Sequence, residues 1–208
     1  MPLTRRSLLA ASAASAALCL LPRAARAAGP ARLADLSLGR DGAPVTILEY
    51  SSYTCPHCAT FHIETRPWLV KTYVDTGRAR MVFSDFPLDG VAMAASMLVH
   101  SAPKATAAAL SEALFSEQRH WAAAQNPREA LTQLAALAGM SAKAVETALA
   151  DKELFQALMD QREKAEKDYG VDSTPTLVIN GHRVAANSPR KDLAAAIEAA
   201  EAEAKRKS

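Results

Sequence analysis

The stretch Tyr53–His62, YTCPHCATFH, sets two thiols three positions apart, with Pro56 and His57 between them and His62 four places beyond Cys58. A metal site, a haem anchor, a structural staple and a redox pair can all begin with that spacing. Haem attachment needs a histidine directly after the second cysteine, and Ala59 stands there. Cys55, Cys58 and His62 offer three zinc ligands, but a closed zinc site takes four. The other histidines of the region that follows, His100, His120 and His182, lie in unrelated segments. A staple is poorly served too, because a disulfide stabilises chiefly by closing a long loop and this one would span two residues. What remains is a pair placed to react. On this reading His62 is a surface residue of a helix, and a zinc-binding module is the rival from another class.

Cysteine usage supports this. The chain holds only Cys19, Cys55 and Cys58, and Cys19 falls in an N-terminal segment with Arg5 and Arg6, an uncharged Ala/Leu/Ser run, and small residues ending Ala25-Arg26-Ala27. That is the pattern of a secretory signal peptide, expected over residues 1–27, and the run is too short and too weakly apolar for a membrane-spanning helix. Residues 28–208 then form the mature chain with a single cysteine pair, exported to a compartment where disulfides persist. Of 24 Lys and Arg against 22 Asp and Glu, four arginines leave with the leader, so 20 face 22 and the net charge becomes −2. Nothing in that balance points to nucleic acid. A hydrophobic fraction of 50% suits one globular domain.

Working outward from the cysteines, VTILEY (Val45–Tyr50) reads as a strand leaving the turn Asp41–Pro44. Residues 58–73 carry Phe61, Trp68, Leu69 and Tyr73 at helical spacing, with Pro56 in the first turn and Pro67 expected to kink the helix. Trp68 and Trp121 are expected in the core. Arg80–Phe86 reads as a second strand, completing a strand–helix–strand unit. From 87 to about 170 the pattern is helical, with segments expected at Val91–His100, Lys104–Glu117, Pro127–Ala138 and Ser141–Tyr169. Leu131, Leu134 and Leu137 mark one inward stripe, and Leu154, Phe155, Leu158 and Met159 another. TPTLVINGHRV (Thr174–Val184) then holds two short apolar runs around Asn180-Gly181, a hairpin signal. Ser188-Pro189 opens a last helix with Leu193 and Ile197 inward. The order implies an α/β protein: a thioredoxin fold, core 42–86 and 171–208, with an inserted α-helical lid at about 87–170.

CPHC at Cys55–Cys58, STP at Ser173–Pro175, VINGHRV after it, and Glu49 six places before Cys55 together resemble the DsbA-like thiol-disulfide oxidoreductases of the bacterial cell envelope. The resemblance covers the chain from Gly42 onward. It implies a periplasmic oxidase that donates its Cys55–Cys58 disulfide to folding secreted proteins through a mixed disulfide, with no cofactor beyond that redox-active pair. It also implies reoxidation by a DsbB-like, quinone-linked membrane partner. A disulfide isomerase or reductase with the same site is the alternative. About seventeen residues precede the first strand, too few for the dimerisation domain of the isomerases this chain resembles, so a monomer is expected.

Chemistry assigns the roles. Cys55 lies where unpaired N–H groups and the positive end of a helix favour a thiolate, and His57 adds a donor or a charge beside it. Cys58, one turn inward, resolves the mixed disulfide. Glu49 resembles the family's buried acid, placed to exchange a proton with Cys58; the alternative is an exposed strand-end carboxylate. Thr174-Pro175 resembles the cis-proline loop whose backbone pairs with an extended substrate strand.

Overall fold

The computed structural model describes residues 33–207; the expected leader, with Cys19, lies outside the described residues. The sheet has five strands in the order β1-β3-β2-β4-β5. They are β1 (Ser37–Leu38), β2 (Val45–Ser51), β3 (Ala79–Asp85), β4 (Thr176–Ile179) and β5 (His182–Ala185). β2 and β3 run parallel, in register Val45 with Ala79 through Ser51 with Asp85, and every other pairing is antiparallel. Between β2 and β3 lies one helical run built of α1 (Pro56–Thr60), a π turn (Phe61–Thr65), α2 (Arg66–Leu69) and a second π turn (Val70–Val74). At Pro67, where a kink is expected, the run continues and widens into a π turn just before the proline. The Arg66 N–H reaches back five residues to Phe61, and such a turn absorbs the hydrogen bond a proline cannot make.

Strand alternation explains which way β2 presents its side chains. Val45 and Ile47 are fully buried and pack with Phe61, Leu69, Leu177, Leu193 and Ile197, while Leu48 and Tyr50 face Phe86 and Val178 on the other side. Glu49 shares the period of Val45 and Ile47, so the same rule that buries them carries a carboxylate under the helix. At the far end, Asn180 and Gly181 take φ values of 46° and 90°, the left-handed pair that a two-residue turn matched to strand twist requires. The Asn180 side chain donates to the Pro44 carbonyl and accepts from the Thr46 N–H, at 3.1 and 2.8 Å, tying the hairpin to the start of β2.

Helices α3 (Gly90–Ser101), α4 (Ala107–Ser116), α5 (Gln118–Trp121), α6 (Pro127–Leu137), α7 (Ala142–Leu149) and α8 (Lys152–Tyr169) fill the interval between β3 and β4, and α9 (Arg190–Lys207) closes the chain. Three expectations are corrected. Ser141–Tyr169 is two helices, because the Asp151 carboxylate accepts the Leu154 N–H and caps a new one. Leu137 is 86% exposed and Phe155 45% exposed, so each inward stripe is a residue narrower than the spacing suggested. Gln118–Trp121 is a further short helix, and Trp121 is buried with its indole N–H donated to the Leu114 carbonyl at 2.7 Å. Trp68 is only partly buried, against the core beside α9. Among the described residues no helix is long and apolar enough to cross a membrane.

Candidate active site

β2 ends at Ser51, and the loop Ser52–Thr54 delivers Cys55 to the N-cap of α1, with Pro56 at the first helical position. Cys55 is the N-cap residue of α1 and makes no side-chain capping bond, so its sulfur sits at the positive end of the helix without closing a cap. Cys55 is 7% exposed and Cys58 fully buried, while Pro56 and His57 between them are exposed. Both cysteines are in the dithiol form. The Ser52 N–H donates to Cys58 Sγ at 3.4 Å, and the Cys55 thiol lies 3.4 Å from the Thr174 carbonyl. The peptide bond between Thr174 and Pro175 is cis, and the turn brings the loop 119 residues downstream against the reactive sulfur.

The two thiols are driven apart electrostatically. A hydrogen bond from the Cys58 thiol brings Cys55 down to about 5; burial opposes this, and Thr174 and the N–H groups of Cys58 and His57 add to it. Burial pushes Cys58 far up, and its bond to Cys55 pushes it further, with Ser52 and Thr174 acting weakly the other way. The Thr174 hydroxyl is buried without a geometric hydrogen-bond partner, yet it bears on both sulfurs. One thiol is thus a thiolate at neutral pH and the other holds its proton. A cleft of about 200 Å³ opens beside them, lined by His57, Ser173, Thr174, Pro175, Arg183 and Asn187.

Glu49 is fully buried, so the exposed strand-end alternative does not hold. Its partners are not the sulfurs. Oε1 accepts the Ser51 hydroxyl at 2.8 Å, His62 Nδ1 lies 4.0 Å away, and Arg66 Nε lies 3.6 Å from Oε2. His62, expected on the surface, is 5% exposed and stacks on Phe115 at 4.3 Å. Its Nε2–H donates to Glu112 at 2.7 Å, and Arg66 donates to the other Glu112 oxygen at 2.6 Å. Burial acts to lower His62, but the bonds to Glu112 and Glu49 outweigh it and raise its pKa. Glu112 is likewise opposed by burial, yet His62 and Arg66 bring it down to about 2. His62 therefore turns to carboxylates rather than to the thiols. Among the described residues no group of three or more His, Cys, Asp or Glu could hold a metal ion.

The loop ahead of Cys55 is fastened to the helical block at several points. Tyr53 donates its hydroxyl to Ser111 at 2.8 Å, Thr54 donates to Asp89 at 2.7 Å, and the Gln118 amide donates to the carbonyls of Tyr53 and Cys55 at 2.7 and 2.9 Å. Below the loop, Asp85 accepts from His100 Nε2 at 2.7 Å while His100 Nδ1 accepts the Ala34 N–H at 2.8 Å. None of these partners carries a local sequence signal. A glutamine and a serine inside Ala-rich helices look like solvated faces until the chain that buries them is in place.

A family model described as thioredoxin matches residues 32–199. The putative protein-disulfide oxidoreductase of Rickettsia bellii is 28% identical over 83% of this chain and 67% of its own length. The corresponding protein of Rickettsia typhi is 28% identical over 71% of this chain. The chain spans about half of that relative, 55%. The crystal structure of alpha-DsbA1 from Wolbachia pipientis superposes with a TM-score of 0.74 at 26% identity, covering 83% of this chain and 94% of that one.

Proposed function

The chain belongs to the thioredoxin family as a DsbA-like protein-disulfide oxidoreductase, and from that premise we propose that it works as an oxidase, giving its Cys55–Cys58 disulfide to secreted proteins that are folding. The observation that carries this reading is the asymmetry of the pair, Cys55 brought down to about 5 and Cys58 pushed far up. A substrate thiolate attacks Cys55 Sγ. The new bond joins substrate sulfur to Cys55, the Cys55–Cys58 bond breaks, and the Cys58 sulfur leaves with the electron pair and takes up a proton. A second substrate thiolate then attacks the first substrate sulfur, and Cys55 leaves as a thiolate. The substrate is oxidised by two electrons and the protein is reduced by two.

Cys55 is a good leaving group because it departs as an ion it already favours. Between about 5 and pH 7 that preference is worth about 2–3 kcal/mol, and at about 30 mV per 1.4 kcal/mol it makes the disulfide more oxidising by on the order of 50 mV. Pro56 shapes the helix start and His57 presents its N–H to Cys55. Thr174 and Pro175 supply the backbone edge on which a substrate strand lies. Glu49 supports the site through Ser51, His62 and Arg66. In this reading residues 1–27 are removed on export to the periplasm, residues 28–208 act as a monomer, and a DsbB-like membrane protein restores the disulfide.

The test is the redox equilibrium of the purified protein with glutathione, together with trapping in the producing cell. An oxidase gives an equilibrium well on the reduced side, and Cys58→Ala accumulates mixed disulfides with secreted proteins while Cys55→Ala traps none. An equilibrium like that of a stable structural disulfide, or equal trapping by both variants, would reject the mechanism.

A further inference from the structure

Gln118 belongs to the inserted helical block, yet its side chain ends inside the redox site. It is 4% exposed. Its amide nitrogen has two hydrogens, and both go to backbone carbonyls of the loop that delivers the nucleophile, Tyr53 at 2.7 Å and Cys55 at 2.9 Å. The Cys55 carbonyl also accepts the N–H groups of Cys58 at 3.0 Å and Ala59 at 3.2 Å. Three donors therefore cover the negative end of the carbonyl that belongs to the attacking residue itself.

We propose that Gln118 is a positioning residue of the redox site: it clamps the Tyr53 and Cys55 carbonyls, shields the Cys55 sulfur from its own carbonyl, and holds the helix start in the geometry that keeps its N-terminal N–H groups near that sulfur. The proposal rests on the reading of Cys55 as the attacking thiolate. Two physical effects lead to the same result. Without the amide, a carbonyl dipole close to the thiolate loses a donor, which disfavours the negative charge. The freed peptide can also rotate, and the N–H groups that favour the thiolate lose their alignment. Only an uncharged group with two donors on one atom bridges two carbonyls here. A carboxylate has none, and an ammonium would bring a full charge into a site only 4% exposed. On this view the helical block is part of the redox site's electrostatics as well as its cover.

The experiment measures the thiolate absorbance of the reduced full chain against pH, and its equilibrium with glutathione, in wild type, Gln118→Met, Gln118→Asn and Ser111→Ala. Met keeps the length and removes the donors. Asn keeps the donors but reaches one carbonyl at most. Ser111→Ala removes the neighbouring Tyr53 contact in the same interface and leaves the clamp in place. Gln118→Met should move the Cys55 midpoint up by about one pH unit and shift the glutathione equilibrium toward the disulfide by about tenfold, with Gln118→Asn between it and wild type. Ser111→Ala should melt earlier with an unmoved midpoint. A low wild-type midpoint shared by both Gln118 variants, or an equal rise in Ser111→Ala, overturns the role of Gln118. A wild-type midpoint in the range of a free thiol overturns the reading of Cys55 instead.

Discussion

At the scale of single residues the site is an exercise in unequal treatment of two like groups. The folded-state value of Cys55 lies below that of an unfolded thiol, so its ionisation stabilises the reduced fold. That contribution is complete above the unfolded value, about 8.5, and is lost as pH falls through about 5. Cys58 is shifted the other way: above about 8.5 the unfolded chain can ionise it and the folded chain cannot, so the reduced form loses ground there. The melting temperature of the reduced protein relative to the oxidised one should therefore rise from about pH 5, peak near about pH 8.5 and decline above it. A difference that is flat in pH would mean that Cys55 is not held as a thiolate. His57→Ser should raise the Cys55 midpoint by about half a unit or more if the imidazole contributes beyond its backbone N–H, and thiolate absorbance measures it. Much at this scale was readable in the sequence, since a cysteine ahead of Pro56 at a helix start needs no distant partner to be recognised. The surroundings were not. His62 looks like a surface position on its own helix and is buried by Glu112 and Phe115, fifty or more positions later.

The same contrast holds for elements. β2, β3, the hairpin at Asn180-Gly181 and the last helix follow from alternation, turn residues and spacing, all local signals. The break at Ala150–Asp151 was missed because the Ala, Leu and charged composition continues across it, and only the cap formed by Asp151 separates α7 from α8. Where elements meet, the Glu112 carboxylate on α4 joins His62 and Arg66 on the helical run after the cysteines. Glu49 on β2 lies 4.0 Å from His62 and 3.6 Å from Arg66, and Phe115 stacks on the His62 ring. The raised His62 contributes stability that is fully present below its unfolded value of about 6.5 and disappears as pH rises through its higher folded value. Glu112 contributes above its unfolded value, about 4.5, and loses the contribution as pH falls toward about 2. The joint therefore works best between about pH 4.5 and 6.5. Glu112→Gln should lower stability most in that window, by no more than about 1 kcal/mol because the carboxylate is half exposed, and less at pH 9, where His62 is neutral and only Arg66 remains charged; urea unfolding at pH 5.5 and 9 measures the difference. An equal loss at both pH values would point to packing instead of charge.

At the scale of the whole molecule, the described residues hold one cysteine pair, which under the proposed reading suits a protein that passes on a disulfide and departs, whereas reshuffling wrong disulfides requires a client to be held. The full chain should oxidise a reduced multi-cysteine protein quickly, rescue a scrambled one poorly, and sediment as a monomer. Efficient rescue together with a dimer or trimer would favour the isomerase. The sheet has a further consequence for a protein that meets unfolded chains. Its outer strands are β1, two residues long, and β5, four residues long with His182 and Arg183 exposed. Long, flat, apolar borders invite other chains to add strands and seed aggregates, while short and cationic ones discourage it. Under the oxidase reading proposed above, a client would then find little strand to zip onto at β1 or β5, association would fall to the cleft at Thr174 and to sulfur, and the encounter would be brief.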